Sequence, residues 1–164
     1  MTDRAIAVAA WESLFRAQVT VIRTLSESFP SELISLNEYD VLFNICRAPG
    51  RRLRLKDLNR SVLISQPSVS RMLDRLSSRG LVTKVPDPVD GRGTIVSITD
   101  DGFTLYRQVA YQHIAAIERS VGAGLDDDEL VTLTDLCRRM RLAIADPLIG
   151  EPVTDDASAD EATG

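Results

Sequence analysis

Residues 64–82 read ISQPSVSRMLDRLSSRGLV, and this stretch predicts a helix with two unlike faces. Ser65 is a candidate N-cap, Pro67 suits the first turn, and Gly80 suits the left-handed position just beyond the helix. Apolar side chains recur at the spacing i, i+3, i+4, i+7 and form a stripe: Val69, Met72, Leu73 and Leu76. The opposite face is polar and carries serine and arginine side chains, so it is available to a polar partner.

The segments on either side of this helix predict a helix–turn–helix followed by a β-hairpin. Before it, LRLKDLNRSV at 53–62 places Leu55, Leu58 and Val62 on one helical face. After it, the β-prone runs LVTKV and TIVSIT are joined by PDPVDGRG at 86–93, a loop longer than the tight two-residue kind. A hairpin that follows the second helix of such a pair is a wing.

Long helices are predicted at both ends of the chain. Residues 4–29 form the first, and a short second helix follows with Asn37 as its N-cap. Beyond the hairpin, one helix opens at the cap Thr99, and another opens at Asp126, with Glu129 completing a capping box. The predicted fold is therefore mainly α: a winged helix–turn–helix, with a three-helix core and a β-hairpin wing, between long terminal helices.

This reading divides the chain into four segments. Residues 1–35 are an N-terminal dimerisation helix, 36–99 the winged helix–turn–helix, 100–146 the C-terminal dimerisation helices, and 147–164 an acidic, aperiodic tail expected to be disordered. Because the terminal helices carry more apolar surface than a winged helix needs, we expect them to pair two subunits in a bundle. A monomer with a large helical bundle is the alternative.

Composition limits the classes of protein that this chain can represent. It has 164 residues, 44% of them hydrophobic and 26% charged, which suits one globular domain. No uninterrupted apolar run reaches the ~20 residues of a membrane span, and the N-terminus lacks the pattern of a signal peptide. We therefore expect a cytoplasmic protein with no membrane partner.

The net charge of −5 hides a basic segment. Residues 47–92 hold eleven Lys and Arg against four Asp, a net charge of +7, so the remaining residues carry −12. Because charges are screened within ~8 Å at physiological salt, a basic segment of an acidic protein can still face a polyanion. A solvated basic face without a partner is the alternative.

In this order and spacing, LKDLNRSVLISQPSVSRMLDRLSSRGLV and DPVDGRGTIVSITDDG, flanked by helices, resemble the MarR family of bacterial transcriptional regulators. The resemblance covers about residues 5–145. It implies a winged-helix homodimer that binds double-stranded DNA at a pseudo-palindromic operator. Such proteins usually repress nearby genes and often release DNA on binding a small, frequently aromatic, anionic ligand.

Carried over position by position, the resemblance implies a DNA-binding set: Ser65, Gln66, Ser68, Ser70, Arg71, Arg75, Asp90 and Arg92. Arginine can bond bidentately to guanine, and serine hydroxyls suit phosphate oxygens. In the wing, Arg92 matches the arginine that enters the minor groove and Asp90 the acid that orients it. Gly91 departs from the second arginine of many relatives. For Arg75, an ion pair within its own helix is the alternative.

The resemblance also implies an effector pocket between the first, second and fifth helices. The aromatic residues offered there are Trp11, Phe15, Tyr39 and His113. Ordinary hydrophobic core is the simpler interpretation of the same residues.

Other classes of function have less support in the sequence. His113 is the sole histidine and no nucleophile motif or phosphate loop is present, so we expect neither an enzyme nor a bound cofactor or metal. Cys46 and Cys137 have no CxxC spacing, and a thiol-based redox-responsive regulator requires that Cys46 be reactive. A winged helix that binds proteins rather than DNA is a further alternative.

Overall fold

The computed structural model describes residues 3–62 and 64–144. Its elements follow in this order: α1 Arg4–Glu27, α2 Leu36–Arg47, a 3₁₀ turn Pro49–Arg51, β1 Arg52–Arg54, α3 Leu55–Ser61, α4 Gln66–Ser78, β2 Val82–Pro86, β3 Thr94–Ile98, α5 Asp100–Val121 and α6 Asp127–Ile144. The predicted mainly α winged helix–turn–helix is confirmed. The tail predicted at 147–164 lies outside the described residues.

The wing is part of a three-stranded antiparallel sheet in the order β1-β3-β2. Val85 pairs with Ile95 across the hairpin, and Arg54 pairs with Ile95 from the other side. The sequence analysis missed β1, whose residues were assigned to the run leading into the third helix. A strand of only three residues is too short to show a period of two.

Most helix ends follow the predicted capping chemistry; Ser65 occupies the N-cap position of α4 without a capping hydrogen bond from its side chain, and the cap of α2 needs a correction. Gly80 has φ 71°, Thr99 accepts a hydrogen bond from the Gly102 N–H, and Asp126 and Glu129 form both bonds of a capping box. The predicted N-cap of α2 at Asn37 is wrong. The cap is Ser35, whose side chain accepts from the Glu38 N–H while the Glu38 carboxylate accepts from the Ser35 N–H.

The core lies where α2, α3 and α4 meet the sheet and the first half of α5. The predicted stripe of α4 is buried in full: Val69, Met72, Leu73 and Leu76. Facing it are side chains from α2 such as Val41, Leu42 and Ile45, which are fully enclosed. Burial of this stripe leaves the opposite, polar side of α4 at the surface.

The long helices keep much of their apolar surface exposed within one chain. In α1 only Leu25 is buried, and in the described part of α6 no residue is. Of the residues described, only α1 forms a helix long and apolar enough to span a membrane, by length and composition alone. A helix that pairs with other apolar helices has the same composition.

Candidate nucleic-acid interface

The first half of α4 holds three of the predicted DNA-binding residues in one hydrogen-bonded chain. The hydroxyls of Ser65 and Ser68 lie 2.9 Å apart, and Arg71 Nη2 donates to Ser68 Oγ over 3.3 Å. Gln66 is exposed next to them, and Ser70 is half-buried. These contacts hold a guanidinium and two hydroxyls on the solvent side of the helix, beside the positive end of its dipole.

The second half of α4 is fastened to the beginning of α2. Arg75 Nε lies 3.6 Å from Glu38 Oε1, and Arg79 Nη2 donates to the backbone carbonyl of Leu33 over 2.9 Å. The alternative for Arg75 from the sequence is an ion pair within its own helix, near Asp74. Asp74 instead pairs with Lys84 of β2.

Glu38 was not among the sequence-predicted site residues, although Ser35-x-x-Glu38 is a capping-box pattern that marks the start of a helix. Its carboxylate, largely buried, serves both the cap of α2 and Arg75 of α4. The orientation of α4 is therefore tied to the first turn of α2.

The wing loop, residues 87–93, presents Arg92 at the surface. Asp90 Oδ1 accepts a hydrogen bond from the backbone N–H of Arg92 over 3.2 Å, and the Asp90 carbonyl accepts from the Gly93 N–H over 2.6 Å. Asp90 thus shapes the backbone that carries Arg92. The family resemblance implied an acid that orients this arginine, and the contact observed here is to the main chain.

Asp87 is a second acidic residue of this loop, and sequence reasoning missed it. Its side chain is only 2% exposed, and its Oδ2 lies 2.6 Å from Arg54 Nε. The N–H of Val89 donates to Asp87 Oδ1, which lowers the pKa of this carboxyl, and the charge of Arg54 lowers it further. The dipeptide Asp87-Pro88 is a turn signal that points to this loop, but nothing local in the sequence points to Arg54.

The four residues predicted to bind a ligand fall into two groups. Trp11 and Phe15 lie on α1, 60% and 51% exposed, with ring centroids 5.8 Å apart. Tyr39 and His113 are buried, with ring centroids 4.9 Å apart, and Phe29 packs against both rings. Desolvation lowers the pKa of His113, which favours its neutral form. Within one described chain, ring contacts do not join the two groups.

A pocket of about 630 Å³ opens between α2 and α5, beside the Tyr39 group. Arg51 stacks on Phe103 with 3.5 Å between its Cζ and the ring centroid, and the Cζ of Arg107 lies 6.0 Å from the same centroid. The remaining lining is mainly aromatic and apolar: Phe43, Cys46, Arg47, Tyr106, Ala110, Tyr111 and Ile114. No carboxylate lines the pocket among the described residues, so its chemistry suits an aromatic anion.

Cys46 lies in this pocket without the properties of a reactive thiol. Burial raises the pKa of Cys46 to about 12, despite the opposing charge of Arg51. In the part of the chain that the structure describes, no group of three or more His, Cys, Asp or Glu side chains could hold a metal ion.

An exposed polar helix in a helix–turn–helix, followed by a hairpin that presents an arginine, defines a winged-helix DNA-binding protein. A model of the MarR family matches residues 34–93. In this segment and in its fold, the chain is similar to the MarR family of DNA-binding transcriptional regulators.

Comparison with individual proteins agrees with this assignment. The chain is 27% identical to the HTH-type transcriptional regulator PecS of Dickeya dadantii over 130 residues, which are 78% of this chain and 77% of PecS. A mutant MarR of Escherichia coli, solved with operator DNA, superposes with a TM-score of 0.65 at 26% identity, over 85% of this chain and 99% of that one. BpsR of Bordetella bronchiseptica, whose DNA binding is regulated by 6-hydroxynicotinic acid, gives a TM-score of 0.67 at 26% identity, over 80% and 98% of the two chains.

Proposed function

We propose that this chain is a cytoplasmic, homodimeric repressor that reads a pseudo-palindromic operator and releases it when a small aromatic anion binds. The observation that carries the DNA-binding part is the hydrogen-bonded chain Ser65–Ser68–Arg71 on the exposed side of α4. Hydroxyls and helix N-terminal amides suit phosphates, and an arginine beyond them suits a guanine edge. Gln66 and Ser70 lie beside these three residues. Arg75 reaches the edge of the major groove, and Arg92 enters the minor groove.

Footprinting the purified protein on the DNA that flanks its own gene tests this function directly. We expect a protected inverted repeat, with half-sites about one helical turn, ~34 Å, apart. Affinity should fall steeply as salt rises, because phosphate contacts release counterions. A winged helix that binds proteins would leave this DNA unprotected and show no salt slope.

The homodimer is supported by the apolar surface that the long helices leave exposed. Large side chains point to solvent along α1, α5 and α6, including Ile6, Trp11, Ile114, Leu136 and Met140. Their burial against a second subunit would place two copies of α4 on one side of the assembly, as a palindromic site requires.

We therefore expect a sedimentation mass of twice 18.0 kDa at micromolar concentration. Ile6→Glu should shift the equilibrium towards the monomer, because Ile6, 68% exposed in the single chain, becomes buried in the bundle. The matched control is Val89→Glu, which changes an apolar side chain of the wing that is 84% exposed. A wild-type monomer, or a control as dissociated as the Ile6 variant, contradicts the proposed dimer.

The effector part of the proposal rests on the α2–α5 pocket. Arg51 and Arg107 lie around the ring of Phe103, so a ligand's carboxylate can pair with a guanidinium while its ring packs on the aromatic lining. Tyr106 links this lining to the buried Tyr39, with ring centroids 5.5 Å apart. BpsR supports the choice of ligand class. The roles predicted for Trp11, Phe15, Tyr39 and His113 remain predictions.

With 6-hydroxynicotinic acid or benzoate as the probe, we expect operator affinity to fall about 5- to 150-fold, the usual range of coupling between sites. Arg107→Ala should abolish this response and keep ligand-free DNA binding, because Arg107 lies in the pocket and outside the DNA-binding surface. Arg119→Ala, on the same helix and outside this pocket, should respond like the wild type. If Arg107→Ala still releases DNA at the wild-type ligand concentration, the pocket is not the effector site.

The redox-responsive alternative predicts a thiolate at neutral pH. Cys46 offers almost none, since its pKa lies several units above neutrality. The surroundings of Cys46 therefore favour regulation of DNA binding by a ligand rather than by oxidation of this thiol.

A further inference from the structure

One face of the sheet carries a row of side chains that runs from β1 to the wing loop. Arg54 pairs with Ile95, and Ile95 pairs with Val85, so these three side chains share a face. Asp87 follows Val85 by two positions and continues the same face, because side chains alternate along a strand. An arginine side chain is long enough to cross the central strand and reach the end of β2.

The structure shows that Arg54 makes this crossing. Its Nε lies 2.6 Å from Asp87 Oδ2, and the carboxylate is almost fully enclosed. Asp87 also closes the wing loop through its main chain, because its N–H donates to the Gly93 carbonyl over 2.9 Å. A Cβ on Gly93 would lie 3.1 Å from the Cβ of Asp87, so the two ends of the loop are in close contact. Position 87 therefore fixes where the loop leaves the sheet.

We propose that Arg54 and Asp87 form a clamp that holds the wing loop at the angle at which Arg92 reaches DNA. Both are positioning residues, and neither contacts DNA in this proposal. The inference rests on the proposed contact of Arg92 with the minor groove. The clamp adds Arg54, which lies outside the wing motif, as the partner of Asp87, which lies at its start.

The burial of the Asp87 carboxylate is the physical reason that the clamp needs both partners. A buried carboxylate is costly unless hydrogen bonds and an opposite charge compensate it. The Val89 N–H supplies a hydrogen bond from inside the loop, whereas Arg54 supplies the charge from the opposite edge of the sheet. Without Arg54, the loop can relieve the carboxylate by moving it towards water, and Arg92 moves with it.

A direct DNA contact by Arg54 predicts a different pattern of mutant effects. If Arg54 bound a phosphate, Asp87→Asn would remove a competing negative charge and strengthen DNA binding. If Arg54 acts through the clamp, Asp87→Asn and Arg54→Gln both weaken DNA binding. The sign of the Asp87→Asn effect therefore separates the two roles.

The test measures operator affinity by fluorescence anisotropy for the full chain at two salt concentrations. Arg54→Gln and Asp87→Asn should each weaken binding about fivefold, less than or equal to the loss in Arg92→Ala, which removes the contact itself. In the Arg92→Ala background, neither clamp substitution should weaken binding further, because their effect passes through Arg92. Arg52→Gln is the matched control: it removes the same charge from the same strand, and the ion pair of Asp87 is with Arg54 instead.

Each outcome decides the matter. Additive losses with Arg92→Ala, tighter binding by Asp87→Asn, or an equal loss in Arg52→Gln overturn the clamp. So does wild-type affinity in Arg54→Gln, or a loss in Arg54→Gln when Arg92→Ala has none. Failure of the wild type to bind the operator instead overturns the proposed function. Arg54→Lys keeps the charge that compensates the buried Asp87 carboxylate and should bind more tightly than Arg54→Gln, a recovery that a misfolded protein would not show. Equal losses in these two variants overturn the clamp.

Discussion

Gly102→Ala is expected to destabilise the fold by about 3 kcal/mol or more, the upper range for a forced side chain in a packed site. Its new Cβ would lie 2.0 Å from the Leu81 carbonyl oxygen and 2.9 Å from Ile98 Cγ1. Neither neighbour can move easily, since the Leu81 carbonyl accepts from the Thr99 N–H over 3.1 Å and Thr99 caps α5. The substitution separates the wing from the start of α5.

Chemical denaturation measures the loss. Gly124→Ala is the matched control, because a Cβ there meets nothing within 4 Å and its backbone is outside the left-handed region. This control should be neutral or slightly stabilising, through the lower entropy of its unfolded chain. A free energy of unfolding for Gly102→Ala within about 1 kcal/mol of wild type contradicts the packing described for this joint.

Arg71→Ala is expected to have the largest effect on DNA recognition, a loss of ~1–3 kcal/mol on the operator. The guanidinium is exposed, and Ser68 holds it at the solvent side of α4. Because a bidentate contact to a base carries sequence information, the preference for operator over random DNA should fall as well. The fold should keep its stability, since Arg71 takes no part in the buried stripe.

Parallel titrations on operator and random duplexes measure both quantities. Arg139→Ala removes a similar exposed charge from α6, where Arg139 pairs with Asp135, and should leave both affinities near wild type. Operator affinity of Arg71→Ala within a factor of two of wild type means that the polar side of α4 faces something other than a base edge.

Local patterns predicted much of the recognition helix from the sequence. The apolar stripe, the proline in the first turn and the left-handed Gly80 all act within one helical segment, so the sequence contains their cause. The cap of α2 was misplaced because two candidate patterns overlap, one beginning at Ser35 and one at Asn37. The structure has the first, in which Ser35 and Glu38 make both reciprocal hydrogen bonds of the capping box.

Contacts between distant residues could not be predicted. Arg75 reaches Glu38, and Arg54 reaches Asp87, only because the fold brings α4 beside α2 and β1 beside β3. An arginine is compatible with many partners, and its neighbours in sequence do not reveal which one the fold supplies. None of the four residues predicted to bind a ligand lines the α2–α5 pocket, for the same reason: it combines Arg51, from a turn, with Phe103 and Arg107 of α5.

The two halves of α4 have an evolutionary consequence. Ser65, Ser68 and Arg71 interact among themselves, whereas Arg75 and Arg79 hold the helix to the rest of the domain. The exposed positions in the first half can change, because new side chains there alter the preferred DNA sequence without loosening the scaffold. Descendants of one ancestral gene can thus acquire new target sites by a few substitutions at the exposed positions 65, 66, 68 and 71, with Val69 and the second half of the helix kept for packing.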